Sequence, residues 1–420
     1  MRALVVGSGA REHAIAWKLL QGGEVDELYA APGNPGMAAI AHCVPIPADA
    51  IVELAEFAAS LRIDLTVVGP ELPLVQGIAD EFAQRSLPLL GPSRAAAEIE
   101  GSKAFTKAFC QRHGIPTPAA RVVQSRDEAA RAVRELGVPV VLKADGLAAG
   151  KGVAVCLTRD AVEEAFVRFF DDRAFGAAGE RVLVEECVQG DEITFMVLTD
   201  GASIVPLASA RDFKRVGDGD RGPNTGGMGS FSPAPLPNEA GGAILRHIVQ
   251  PTIEGLAQEG RMFRGVLYAG VMLTAAGPRL LEFNCRLGDP ETQVVLPRLD
   301  ADLFSLLRAA AQGELSGARV GWKREAATCV VLAAAGYPEA PRRGDAITGI
   351  AEALAQPGVL VFHAGTAVDD GRLVTAGGRV LSVVGRGATP AEATECAYAA
   401  VSHIAFAGMH FRHDIGRVKE

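Results

Sequence analysis

With 420 residues, 49% of them hydrophobic, and a formal net charge of -9, the chain is long enough for about two to four domains with sizeable cores. It is too acidic for a nucleic-acid surface, so phosphate must be met by a few placed cations. Seven cysteines stand singly at positions 43, 110, 156, 187, 285, 329 and 396, an arrangement that argues against a zinc site or a disulfide framework and for a reducing compartment.

The longest apolar run, Ala326 to Ala335, is about half a membrane span. Met1 to Val6 leads straight into a glycine loop without a basic and apolar leader, so a cytoplasmic monomer with small-molecule partners, and neither nucleic acid nor membrane among them, is expected. Residues 1 to about 100 alternate short apolar runs (Ala3 to Val6, Leu28 to Ala30, Leu65 to Val68, Pro88 to Leu90) with helical patterns, which implies a doubly wound parallel sheet. Functional loops then lie at the carboxyl ends of its strands. Those loops are Gly7-Ser8-Gly9-Ala10-Arg11-Glu12-His13, Ala31-Pro32-Gly33-Asn34 and Gly69-Pro70-Glu71. The first departs from a dinucleotide fingerprint at Glu12, and the second strand ends without an acidic ribose ligand, which disfavours NAD. A glycine turn opening a helix still offers free amides to a monophosphate, with Arg11 beside them and Glu71 or Glu12 for ribose hydroxyls or an amine.

A short helix from Ser102, a good N-cap, carries Lys103 and Lys107, and Gly114-Ile115-Pro116-Thr117-Pro118 is a rigid entry to a new unit. Val140-Val141-Leu142-Lys143, the glycine loop 146–152 and Val153-Ala154-Val155 read as strand, flap and strand. A P-loop would require a Ser or Thr after the lysine and then a helix, whereas Lys151 precedes Gly152 and a β-rich run. Such a flap closes over a triphosphate with its amides inward, and Lys143 points at the inner phosphates. The strand Arg181 to Val188 ends in acids; the backbone around Glu186 to Val188 suits an adenine edge and Glu192 the ribose hydroxyls, with a charged turn between paired strands as the competing reading. Residues 211–229 form a long, polar, glycine-rich loop of a kind that usually binds something. Asp212 suits an ammonium, and Lys214, Arg215 or Asn224 a phosphate.

Leu280-Leu281-Glu282-Phe283-Asn284-Cys285-Arg286 leads into the turn Gly288-Asp289-Pro290. In an extended segment, Glu282, Asn284 and Arg286 share one face. That face offers two hard oxygen ligands suited to Mg²⁺ and a guanidinium fork suited to phosphate or carboxylate. A helix starts near Thr292, and Ala301 to Ala311 is amphipathic. From about residue 325 a separate α/β module carries strands at Thr328 to Ala333, Val359 to His363 and Val380 to Val384 and a helix from Pro390 to Ala405; His363 and Gly377-Gly378-Arg379 read as structural.

Arg11-Glu12-His13-Ala14, Lys143-Ala144-Asp145-Gly146-Leu147-Ala148-Ala149-Gly150-Lys151-Gly152, Gly222-Pro223-Asn224-Thr225-Gly226-Gly227-Met228-Gly229 and Arg286-Leu287-Gly288-Asp289-Pro290-Glu291-Thr292-Gln293 occur in that order. Together they make the chain closely resemble, over essentially its whole length, the phosphoribosylamine–glycine ligase family of the ATP-grasp superfamily. The last block is highly specific to that family, and the flap marks the superfamily. The resemblance implies a multidomain α/β and α+β fold: a preATP-grasp parallel sheet over 1–101, a two-lobed ATP-grasp unit over 102–324 with a flap lobe at about 119–187, and a small C-terminal α/β domain over 325–420.

It also implies ligation of glycine to 5-phosphoribosylamine through a glycyl phosphate, with ATP and Mg²⁺ or Mn²⁺, in purine synthesis. The implied metal ligands are Glu282 and Asn284. Lys103, Lys143, Gly150, Lys151, Gly152, Glu185, Glu186, Val188 and Glu192 would hold the nucleotide. Gly9, Arg11, Glu12, Asn34, Pro70, Glu71, Asp212, Lys214, Arg215, Asn224, Gly226, Arg286 and Gly288 would hold the substrates, with Asp212 on the glycine ammonium and Arg286 steadying the acyl phosphate. Lys143, Asp212 and Arg286 are the expected catalytic residues. The family commonly has Gln-Asp-His where this chain has Arg211-Asp212-Phe213, and a double glycine where it has Gly9-Ala10. Another ATP-grasp carboxylate–amine ligase, or a non-catalytic nucleotide-binding protein, is the alternative.

Overall fold

The computed structural model describes residues 1–147, 152–237 and 239–417. Its first sheet is wholly parallel, in the order His42–Cys43, Glu27–Pro32, Arg2–Gly7, Leu65–Val68, Leu89–Leu90. Ala3 to Val6 are fully buried because helices cover both faces, which is why this strand reads as a continuous apolar run rather than an alternating one. The strand order reverses between Arg2–Gly7 and Leu65–Val68, so the loops after these two strands flank the crevice where such sheets bind ligands.

Two antiparallel four-stranded sheets follow. One runs Ala120–Val123, Val182–Glu186, Val140–Ala144, Val153–Cys156, and the other Ile204–Pro206, Asp191–Thr199, Gly265–Thr274, Gly277–Asn284. Val140–Ala144 and Val153–Cys156 form the expected hairpin. Glu186 and Asp191, which the competing reading put on either side of a turn between paired strands, end and begin strands of different sheets. The link between them therefore crosses from one lobe to the other.

The segment read as an irregular loop is built from short strands. Arg215–Gly217 and Arg221–Asn224 form a hairpin, while Arg211–Asp212 and Gly229–Ser232 join a five-stranded antiparallel sheet. That sheet continues through Ala326–Ala333, Arg379–Gly387 and Val359–His363. The carboxyl-terminal strands, expected to stand as a separate module, thus share a sheet with strands that lie before residue 233. The helix Pro390–Val401, capped by Thr389, covers this sheet. Among the described residues no helix is long and apolar enough to cross a membrane.

Candidate active site

A cavity of about 720 Å³ lies where the two antiparallel sheets meet the switch point of the parallel one. Glu282 and Asn284 reach it from the strand Gly277–Asn284, and Arg286 reaches it from just beyond the strand's end. The alternation expected of an extended segment therefore puts all three on one wall. Arg286 Nη2 lies 3.4 Å from Asn284 Oδ1. Across the cavity, Lys143 projects from Val140–Ala144, and its Nζ bonds the carbonyl of Leu281 at 3.1 Å, tying one lobe to the other.

The helix Lys103–Arg112 begins at Ser102, whose Oγ accepts from the Phe105 N–H at 3.0 Å. Asp145, just after the Lys143 strand, accepts from the Ala104 N–H at 2.7 Å and is bonded by Ser102 Oγ at 3.0 Å. This fixes Lys103 on the rim, with Nζ 3.1 Å from the Gly146 carbonyl. Lys107, one turn on, pairs with Glu185 at 3.1 Å, and Lys143 pairs with the same carboxylate at 2.7 Å. Burial would raise Glu185, but the two lysines outweigh it and hold it below the usual carboxylate range. For Lys107 burial wins, and its pKa is lowered.

A further charge cluster faces the cavity. Lys214 is bonded to Glu192 and stands 3.6 Å from Glu282. Against burial, Asp212, Glu192 and Glu282 keep it charged. Glu282 is likewise driven up by burial and brought down further by Lys214, Lys143 and Lys103, so it is an ionised, acceptor-only oxygen donor. Asp212 goes the other way: burial, opposed by Lys214 and reinforced by Glu291, Glu192 and Glu282, pushes it up to about 8. An incoming ammonium would stabilise its charged form.

Of the residues singled out in the sequence, Arg11, Pro70, Glu71, Lys103, Lys143, Gly152, Glu185, Glu186, Val188, Glu192, Asp212, Lys214, Arg215, Asn224, Gly226, Glu282, Asn284 and Arg286 line this cavity. Gly150 and Lys151 lie outside the described residues. Four others stand behind the wall. The Glu12 carboxylate accepts from the Gly9 N–H at 2.6 Å and pairs with Arg11 Nε at 2.6 Å. It packs so closely that a Cβ on Gly69 would sit 1.9 Å from Glu12 Oε1. The amide offered to a phosphate is thus held by the chain's own carboxylate. Asn34 bonds the carbonyls of Ser8 and His363, and Gly288 packs on Glu291 and Tyr268.

The cavity also takes in residues given no role from the sequence: Glu100, Lys107, Tyr268 and Arg379, and Asp289 and Glu291 of the quoted Arg286–Gln293 block. Lys107 had a local signal in its spacing of four from Lys103 on a helix, and Asp289 and Glu291 had one in the motif that contains them. Arg379, read as structural, bonds Asp289 Oδ2 and the Gly226 carbonyl, both at 2.6 Å.

A cleft between two antiparallel lobes, lined by lysines and oxygen donors and closed on one side by a parallel switch point, defines an ATP-grasp enzyme. Family models described as "Phosphoribosylglycinamide synthetase" match residues 1–100 as the N domain, 101–292 as the ATP-grasp (A) domain and 327–418 as the C domain. The chain belongs to the phosphoribosylglycinamide synthetase family. It is 49% identical to the phosphoribosylamine–glycine ligase of Rhizobium meliloti, covering 99% of this chain and 98% of that one. It is 47% identical to the Pseudomonas aeruginosa protein of the same name, covering 99% and 97%. The crystal structure of the Thermotoga maritima phosphoribosylamine–glycine ligase is similar at a TM-score of 0.85 and 34% identity, covering 99% of this chain and 100% of that one. A Hydrogenobacter thermophilus biotin carboxylase domain, at a TM-score of 0.71 and 18% identity over 97% and 91% of the two chains, shares the fold.

Proposed function

We propose that this cavity carries out the ATP-dependent ligation of glycine to 5-phosphoribosylamine, the second step of purine synthesis. A glycine carboxylate cannot expel oxide, so ATP first transfers its γ-phosphoryl group to a carboxylate oxygen and ADP departs. The amine nitrogen then attacks the carbonyl carbon of the glycyl phosphate, loses a proton and displaces phosphate, leaving glycinamide ribonucleotide. The observation that carries this reading is the convergence of Glu282, Asn284, Arg286 and Lys143 on one cavity, in a chain matched along its length by one family.

Phosphoryl transfer needs positioning and charge neutralisation more than covalent help. Lys103 and Lys143 supply positive charge on the triphosphate side, and Arg286 steadies the acyl phosphate. The lobe-crossing link at Glu186 to Val188 takes the adenine, Glu192 the ribose, and Gly150, Lys151 and Gly152 the flap contact. Asp212 takes the glycine ammonium. Arg11, Pro70, Glu71, Lys214, Arg215, Asn224 and Gly226 face the remaining substrate volume, with Gly9, Glu12, Asn34 and Gly288 shaping it from behind.

Glu282 and Asn284 fit a divalent ion. Among the described residues no group of three or more His, Cys, Asp or Glu side chains is fit to hold a metal, so an ion here takes few protein oxygens and completes its shell with water and phosphate, the habit of Mg²⁺. Mn²⁺ accepts the same hard donors. Either ion, when bound, would neutralise charge on the nucleotide. The division into 1–101, 102–324 and 325–420 belongs to this reading, supported by where the three family models begin, at 1, 101 and 327, while the ATP-grasp model itself ends at 292. So do a cytoplasmic location and a monomeric state, the latter checked by light scattering.

The deciding assay is ADP release with glycine present, with and without freshly made phosphoribosylamine. Release that requires both supports the reading. Release that proceeds with formate or bicarbonate and ignores glycine assigns the site to another carboxylate ligase.

A further inference from the structure

We propose that Glu100 is a positioning residue that aims the Arg286 guanidinium, an inference that rests on the role given to Arg286 above. Glu100 stands in the last turn of the helix Arg94–Gly101, far in sequence from the strand Gly277–Asn284. Its side chain is only 5% exposed. One oxygen, Oε2, accepts from the main-chain N–H of Cys285 at 2.7 Å and from the Cys285 thiol at 2.9 Å. The other, Oε1, lies 3.3 Å from Arg286 Nη2. A single buried carboxylate thus grips both the backbone where the strand ends and the side chain that follows it.

Burial pushes the pKa of this carboxyl up, with Arg286 as the principal opposing charge. Arg286 in turn is held charged above its ordinary value, burial being outweighed by Glu100 and Glu71. The other contacts of the guanidinium are of similar length, 3.4 Å from Nη2 to Asn284 Oδ1, 3.4 Å from Nε to Glu71 and 3.3 Å from Nη1 to the Leu287 carbonyl, so Glu100 differs from them in how firmly its own carboxylate is fixed rather than in distance. Glu71 is 27% exposed and stands on the cavity wall, where an arriving substrate can displace it. Glu100 is fixed by two donors of Cys285 and stays. A guanidinium held along one edge keeps its other donors for bidentate contact with a phosphate.

The test compares Glu100→Gln, Arg286→Ala and the double variant of the full chain, reading kcat and the KM of each substrate beside the thermal midpoint. Glu100→Gln keeps an acceptor for the Cys285 N–H and removes the negative charge that faces Arg286. A drop in kcat of about 10²-fold is expected, the scale of a misplacement of about 1 Å. The KM for ATP should stay within about twofold. Added to Arg286→Ala, the substitution should cost nothing more, because the two act as one unit. Normal kcat in Glu100→Gln beside an impaired Arg286→Ala overturns the proposal and leaves the reading of the site standing, and so do losses that multiply in the double variant. Normal kcat in Arg286→Ala overturns the role of Arg286 itself and the proposal with it. If the glutamine variant does not fold, Glu100→Asp, which keeps the charge and withdraws it by one methylene, is put through the same comparison with the same criteria.

Discussion

The main-chain N–H of His363 donates to Nδ1 of His13 at 2.9 Å, joining the first helix to the carboxyl-terminal sheet. Burial, with His363 adding to it, lowers His13 to about 3, and burial lowers His363 to about 4. Both rings are therefore neutral when folded, while unfolded they titrate near 6.5. Below that pH the unfolded chain takes up protons that the folded one refuses. Their contribution to stability is thus complete above pH 6.5 and is lost as pH falls toward 4 and 3, at up to about 1.4 kcal/mol per pH unit for each ring. Unfolding midpoints of His13→Asn should fall less steeply than wild type between pH 6.5 and 4, since the amide oxygen accepts the same bond without titrating. Parallel curves would remove His13 from the acid transition.

Glu185 is shared by two lysines in a nearly dry site, its side chain 2% exposed. Replacing it by glutamine leaves two buried ammonium groups facing each other. A loss of about 3 kcal/mol in unfolding free energy is expected, at the low end for a broken buried pair. Denaturant titration reads it, and an unchanged midpoint would mean that the lysines find other partners.

For Glu282→Gln the carboxylate gives way to a neutral amide while the fold is kept. The Mg²⁺ concentration giving half-maximal turnover should rise, and direct Mn²⁺ binding should weaken in parallel. Metal titrations that superimpose on wild type would strike Glu282 from the ligands.

Arg379 reaches from the carboxyl-terminal sheet to Asp289 and to the Gly226 carbonyl. Burial raises Asp289, but Arg379 and then Arg11 bring it below its ordinary value. Arg379→Ala should cost about 3 kcal/mol of stability and raise the KM for the amine, because the 226–227 loop loses its anchor. Lysine should restore little, since a point charge cannot serve acceptors spread over two loops. Equal activity of the lysine and arginine forms would reduce the contact to simple charge balance.

What the sequence revealed was whatever is written locally. Glu282, Asn284 and Arg286 were legible because a strand has period two, and Lys143 because a lysine ending an apolar strand lacks an ordinary explanation. Glu100 and Arg379 were not, since their partners lie 185 and 90 residues away and only the tertiary fold closes those contacts. Glu12 sat in a recognisable loop yet turns inward. The glycines at 7 and 69, which leave it room, were the available signal. Residues 211–229 read as a loop because strands of two to four residues are too short to display alternation.

The strand Ala326–Ala333 is buried at every position, with Gly229–Ser232 on one side and Arg379–Gly387 on the other. A polypeptide ended ahead of residue 326 would leave Gly229–Ser232 with a bare row of amides and carbonyls, the kind of template on which strands from other molecules assemble. The last quarter of the chain therefore cannot be trimmed as an appendage, because its absence would turn the interior of the catalytic unit into an adhesive margin.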